Sequence, residues 1–382
     1  MERTFERCEA TLSDLDLGEV VRWKRAHDGA KAIGYFPVYA PVEIIHAVGM
    51  MPVGLAGAGD RLDIQHADAR FGSFICSIVK TTLELGLTGR LAPLDGLLFS
   101  SICDSARNLC FVMKRNFPQM YVDFLHLPHN PQSPASVDFL AAEYGRLARE
   151  LARLGGAPLT EEALLAAIRL YNRNRALVRQ LYALRSASPH LVSARESYLL
   201  VRAGYFLPVE EHNAILEEAL AALPGRTAHP RDSLRVIVEG AFCEQPPLDL
   251  IRLLEEAGCY VVDDDFVLGR DWFLEDVSLE EATLRALARA YADQARYSSV
   301  RHDFRRPRWE ALAEKARRTR ADAVIFLIAK FCEPAYFDYV LFKKKLDEMG
   351  LPHLLVEFEE KMFTFERMRM EIESFVESLV ID

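Results

Sequence analysis

The chain has 382 residues, enough for two domains of ordinary size, each with its own core. Half of the residues are apolar and 27% are charged, a balance that excludes a disordered chain; the formal net charge of −10 argues against a general attraction to nucleic acid or anionic lipid. The first residues, MERTFERCEA, hold no apolar signal core, and no apolar run nears the roughly 18 residues of a membrane helix, so a cytoplasmic protein is expected.

In chain order, an apolar run at 33–38 reads as a strand, 41–48 as a helix and 52–55 as a second strand. A long helix is expected over 65–87, then a strand at 94–99, a helix after Asp104 and a strand at 121–125. Short apolar runs alternating with helices predict a parallel sheet covered on both faces. Helical spacing takes over from Ser136 to about Leu223, as in EEALLAAIRLYNRNRALVRQLYAL. Turn residues between Gly225 and Ser233 end this stretch. The alternation then resumes: strand 235–238, helix 248–257, strand 260–262, two charged helices over 279–320, strand 323–328, helix 337–349, strand 353–358 and a closing amphipathic helix at 365–379. The expected organisation is therefore an N-terminal α/β domain (1–135), a helical region (136–228) and a C-terminal α/β domain (229–382), the two α/β domains being Rossmann-like or flavodoxin-like.

Seven cysteines occur, at 8, 76, 103, 110, 243, 259 and 332. Their number is odd, their intervals are irregular and no CxxC is present, which excludes a zinc ribbon and a ferredoxin-type run. Three of them share a context. LDGLLFSSICDS, RVIVEGAFCEQPP and ADAVIFLIAKFCEP each run from an apolar strand to a cysteine and then an acid, putting Cys103, Cys243 and Cys332 at strand ends. In open parallel sheets ligands bind outside the carboxyl ends of the strands. Thiolates gathered there from two domains suit a [4Fe–4S] cluster, which with only three protein cysteines keeps one iron open. Packing as small hydrophobes is the alternative use of such residues, and it is the reading for Cys8, Cys110 and Cys259, which lie within or beside amphipathic helices.

The blocks GYFPVYAPVEIIHAVGMMPVGLAG, FICSIVKTTLELGLTGRLAPLDGLLFSSICDSARNL, RVIVEGAFCEQPPLDLIRLLEEAGCYVVDDDF and FCEPAYFDYVLFKKKLDEMGLPHLLVEFE, in this order over nearly the whole chain, resemble the benzoyl-CoA reductase and 2-hydroxyacyl-CoA dehydratase family. The resemblance implies a cluster held by Cys76, Cys103 and Cys332 between two α/β domains, with Cys243 as the runner-up ligand. It implies low-potential one-electron chemistry on an acyl-CoA thioester through a ketyl-type radical. Aromatic ring reduction is the favoured outcome, because GAFCEQPP looks like a block of the reductase branch; loss of a hydroxyl group is the dehydratase alternative. A paralogous subunit in a heterodimer, an ATP-hydrolysing iron–sulfur activator and, behind it, ferredoxin are the implied partners. An electron relay or a sensing protein that has lost the chemistry are the readings from other classes.

Glu43 and His46 stand about one helical turn apart, so both can face one pocket and handle protons, and the resemblance favours Glu43 in that role. The plainer alternative for this pair is a surface ion pair and a core histidine. Asp263, Asp264 and Asp265 form a run able to bind a divalent cation but more often solvated as a loop. Gly54, Gly57 and Gly59 lack the spacing of a phosphate loop, so ATP use would belong to a partner. Arg301, Arg305, Arg306, Arg308 and Lys343 to Lys345 are candidates for the phosphates of coenzyme A or an acidic partner.

Overall fold

A computed structural model describes residues 1–266, 272–280, 283–296, 298–301, 305–359, 362 and 364–380. Among the described residues, eight strands form two four-stranded parallel sheets. In the first, β1 (Ala32–Phe36), β2 (Met51–Gly54), β3 (Gly96–Ser100) and β4 (Tyr121–Leu125) lie in the order β2-β1-β3-β4. In the second, β5 (Leu234–Glu239), β6 (Cys259–Asp264), β7 (Ala323–Ala329) and β8 (His353–Phe358) repeat it as β6-β5-β7-β8. The sequence echo is thus a repeated topology. In each sheet the order reverses between the two central strands, and the crevice for a ligand opens there, beyond β1 and β3 and beyond β5 and β7.

Period-two alternation divides the side chains of β7 between two cores. Val324, Phe326 and Ile328 join an apolar cluster that takes in residues of both sheets, whereas Ala323, Ile325 and Leu327 pack on α10 (Leu248–Glu256) and α14 (Glu366–Val380). On α14 the buried residues Met368, Ile372 and Val376 recur every four residues, one stripe of a helix. A third cluster is mainly helical: α1 (Glu2–Ser13) contributes Phe5 and Cys8, and α7 (Glu161–Ala187), α8 (Ala194–Ala203) and α9 (Val209–Ala222) most of the rest. These last three follow α6 (Ser136–Leu154) in the strand-poor stretch.

Two local expectations fail. The helix expected over 65–87 begins only at Ser77, as α4 (Ser77–Leu87). The backbone N–H groups of His66 and Ala67 instead donate to the carboxylate of Glu84 on α4, at 2.9 and 2.7 Å, so the preceding segment folds back along the helix. The two helices expected over 279–320 are shorter, α11 (Leu284–Gln294) and α12 (Arg308–Thr319), and positions 281–282, 297 and 302–304 of that span lie outside the described residues. Two N-terminal helices, α1 and α2 (Gly18–Ala26), precede the first strand. Among the described residues no helix is long and apolar enough to cross a membrane.

Candidate functional site

Three cysteines occupy the same structural position, the N-cap of a helix. Cys76 caps α4, Cys103 caps α5 (Asp104–Asn116) after β3, and Cys332 caps α13 (Glu333–Met349) after β7. A helix N-terminus presents unpaired N–H groups and the positive end of the helix dipole, which favours a thiolate. At Cys103 the sulfur accepts from the backbone N–H of Ala106 at 3.5 Å. At Cys332 the turn from strand to helix is made by Phe331 in the left-handed region, φ +68°, a conformation that costs a non-glycine residue energy and concentrates at functional sites.

Cys243 follows β5, the strand hydrogen-bonded to β7, so it leaves the second sheet beside Cys332. All four sulfur-bearing residues are half-buried against the cluster that spans both sheets. They are also electrostatic neighbours. Burial raises Cys76 well above its ordinary value, and Glu244, Cys103 and Cys332 add to the rise. Burial does the same for Cys243, followed by Cys332, Cys103 and Cys76. Cys332 is pushed up to about 12 by burial and then, against the N–H of Ala335, by Cys103, Glu244 and Asp265. Like charges confined in a dry site are stable only with a cation between them.

Among the described residues no group of three or more His, Cys, Asp and Glu side chains is disposed to hold a single metal ion. A cubane is an extended body whose cysteines stand farther apart than the ligands of one ion, and soft thiolates are the donor set that it takes, the neighbouring carboxylates of Glu244 and Asp265 being engaged by backbone N–H groups. The residues present therefore fit a [4Fe–4S] group.

The remaining cysteines are dispersed. Cys8, Cys110 and Cys259 are buried in three different apolar clusters, and burial pushes them up to about 11, 12 and 12.

Glu43 and His46 both lie on α3 (Val42–Ala47) but have separate surroundings. Glu43 is fully buried and pairs with Arg175 of α7 at 2.7 Å; its second oxygen has no hydrogen-bond partner among the described residues. A surface ion pair is thereby excluded. His46 is half-buried, packs edge-on against Tyr171 and lies 3.7 Å from Glu210; burial lowers its pKa against Glu210 and Glu43.

The acidic run is neither a solvated loop nor a shared cation site, because each buried carboxylate has its own partners. Asp263 meets Arg318 at 2.9 Å, Asp264 meets Arg185 at 2.7 Å, and Asp265 accepts from the N–H groups of Gly240 and Ala241 at 2.8 and 3.2 Å. Burial, followed by Glu239, raises Asp265 against Lys315 and that backbone contact. These acids and Glu239 line a cavity of about 1240 Å³ beside the ends of β5 and β6, with Arg306, Lys315 and Arg318 also on its wall. Of the candidate phosphate-binding cations, Arg301 and Arg308 are committed inside the fold, to the carbonyls of Tyr291 and Ala292 and to Asp338, and Lys343 and Lys344 are exposed. The glycine-rich segment leads only into a single 3-10 turn, Gly59–Arg61, so no helix opens for a phosphate.

Two residues that shape the site were not singled out from the sequence. Glu244 accepts from the N–H of Ile78 at 3.1 Å, joining the loop after β5 to the first turn of α4 in the other half of the molecule. The recurring acid after each strand-end cysteine was its only trace, and at the other two places that acid, Asp104 or Glu333, is exposed. Tyr39, after β1 at φ +61°, is buried edge-on against Trp272 and Tyr291 and donates to Ser298 at 2.8 Å, tying the first crevice to the second half.

Comparison with known proteins gives a consistent result. The chain is 39% identical to one of the benzoyl-CoA reductase subunits of Thauera aromatica over 98% of its own length and 97% of the relative's. It is 30% identical to the (R)-phenyllactyl-CoA dehydratase beta subunit of Clostridium sporogenes, over 92% of each chain. It is 29% identical to the beta subunit of (R)-2-hydroxyglutaryl-CoA dehydratase of Acidaminococcus fermentans, over 92% of this chain and 93% of that one. The family profile described as 2-hydroxyglutaryl-CoA dehydratase, D-component, matches residues 37–379, and the chain belongs to that family.

Proposed function

We propose that this chain is the iron–sulfur subunit of an ATP-dependent benzoyl-CoA reductase, working in the cytoplasm beside a paralogous subunit. The reading is supported by Cys76, Cys103 and Cys332, each at a helix N-cap and each packed against an apolar cluster that takes in residues of both sheets. Those three residues would hold a [4Fe–4S] cluster, which when bound supplies one electron at low potential for reduction of an aromatic acyl-CoA. The stronger likeness to a benzoyl-CoA reductase subunit than to the dehydratase subunits favours ring reduction. Elimination of water from a 2-hydroxyacyl-CoA is the second reading, favoured by the family description.

The protein's own groups set the conditions. Burial opposes ionisation of the three thiols, so the bound group itself would hold them as thiolates, helped by the helix N-termini, while the Glu244 carboxylate beside Cys76 and Cys332 would oppose an added electron. That balance gives a site that binds its group firmly and keeps the potential low. Glu43, fixed by Arg175 and with one buried oxygen left without a partner, is assigned to the handling of a substrate proton. His46, near Glu210 and half-buried, would connect that carboxylate with solvent.

The relatives are named as subunits. Phe337, Val340 and Leu341 on α13 are exposed at helical spacing beside Cys332, and we assign this stripe to the paralogous subunit. An ATP-hydrolysing iron–sulfur activator, itself reduced by ferredoxin, would deliver the electrons. The test is an anaerobic assay of the chain with its paralogue, the activator, ATP and a reductant, offering benzoyl-CoA and 2-hydroxyacyl-CoA thioesters separately. Consumption of benzoyl-CoA with formation of a cyclic dienoyl-CoA is expected. Turnover of the hydroxyacyl thioester alone would replace the first reading by the second.

A further inference from the structure

We infer that Cys243 is a fourth thiolate ligand to the same group, so that this chain's cluster has no open iron and serves as an electron relay, the substrate being reduced at the partner subunit. The inference rests on the proposed cluster and goes beyond it, because three cysteines would leave one iron free to react and four leave none.

The placement of Cys243 is built by several independent contacts. β5 and β7 are neighbours with their carboxyl ends on the same side, so the chain leaves the sheet at Gly240 beside the exit that leads to Cys332. Gly240 turns at φ +106°, and a Cβ there would meet the carbonyl oxygen of Leu327 at 2.8 Å; only glycine lets the loop lie this close on β7. Asp265 accepts from the N–H groups of Gly240 and Ala241 and fixes the first step of the loop. Its far side is fixed by Glu244, which reaches the N–H of Ile78 in the first turn of the helix that Cys76 caps. Cys243 is thus clamped between a residue anchored to the second sheet and a residue anchored to α4. Its sulfur comes from a loop, whereas the other three come from helix caps.

The relay step is balanced without a bond to substrate. One electron enters from the activator's low-potential iron–sulfur reductant, and the same electron leaves to an acceptor in the partner subunit. No bond to substrate forms or breaks in this chain, so under this inference the substrate-proton role assigned above to Glu43 falls away.

The test uses the full chain, purified anaerobically, as wild type, Cys243→Ala and Cys243→Ser. Iron and sulfide are measured, and EPR spectra of the reduced proteins are recorded with and without ¹³C-cyanide, which binds an iron lacking a thiolate. Expected are a wild-type spectrum unchanged by cyanide and a Cys243→Ala protein that keeps at least half of its iron and gains ¹³C hyperfine coupling. Cys243→Ser should keep its iron with a changed spectrum and stay insensitive to cyanide. Cyanide coupling in the wild type, equal to that in Cys243→Ala, would overturn the fourth ligand while leaving the three-cysteine cluster intact. If Cys243→Ala fails to hold iron, the wild-type response alone decides: silence supports the closed site and coupling overturns it. An iron-free wild type would overturn the cluster itself and this inference with it.

Discussion

Gly240 is a single residue on which the geometry of the thiol site depends. With φ at +106° and Leu327 O against the position of a Cβ, alanine has to strain or shift the loop that ends in Cys243. Gly240→Ala is expected to lower the unfolding free energy by about 1–3 kcal/mol in a denaturant titration, and to lower iron content if the loop moves. The cysteines and the strands before them are legible in the sequence because each strand is a short apolar run ending in a turn. The partners that make a site of them are not. Glu244 and Ile78 are 166 positions apart, and nothing local distinguishes Glu244 from the exposed acids Asp104 and Glu333. The run from Asp263 to Asp265 misleads for the same reason: its cations, Arg185 on α7 and Arg318 on α12, lie far along the chain.

At the scale of elements, α7 is joined to the end of β6 by a fully buried ion pair. Arg185 meets Asp264, which also accepts from Tyr182 at 2.6 Å, and a second N–H of Arg185 donates to Ser197 on α8. Removing one partner strands a charge away from water. Arg185→Met is therefore expected to cost about 3–5 kcal/mol by chemical denaturation, and adding Asp264→Leu to recover part of it. The exposed stripe on α13 makes a different prediction, because Phe337 is 73% exposed and contributes little to the fold. Phe337→Asp should leave the melting temperature of the isolated chain within a few degrees and weaken co-purification with the paralogous subunit at least tenfold. Helical spacing finds most of these elements, but α4 shows its limit. Hydrogen bonds from His66 and Ala67 to Glu84 turn the apparent first half of that helix into a segment lying alongside it.

For the whole molecule, one topology is used twice, and the thiols of Cys76, Cys103, Cys243 and Cys332 pack against an apolar cluster that takes in residues of both sheets. The alternation of short strands and helices makes both sheets readable from the sequence. The joining of the two halves depends on long-range packing, such as Tyr39 on Trp272 and Tyr291, that no local pattern encodes. Global stability should also respond to acid. Burial pushes Asp95 up, but Lys24, the N–H of Ala32 and Lys31 outweigh it, so its folded pKa lies below the ordinary 3.8. A depressed folded value means that the contribution is complete above 3.8 and is lost as pH falls below it through the folded value. Asp95→Asn should lower stability at pH 7 and flatten the acid limb of a stability–pH curve, whereas an unchanged limb would show that Asp95 is not a source of it.

The central claim is that the thiols gathered between the sheets hold a [4Fe–4S] cluster, and the most direct measurement is iron and acid-labile sulfide with EPR after reduction, on anaerobically purified wild type, Cys103→Ala, Cys332→Ala and Cys110→Ala. About four irons and four sulfides per chain are expected in wild type and in Cys110→Ala, with loss of the signal in the other two; an iron-free wild type, or variants at 103 and 332 that keep the wild-type signal, would contradict the account.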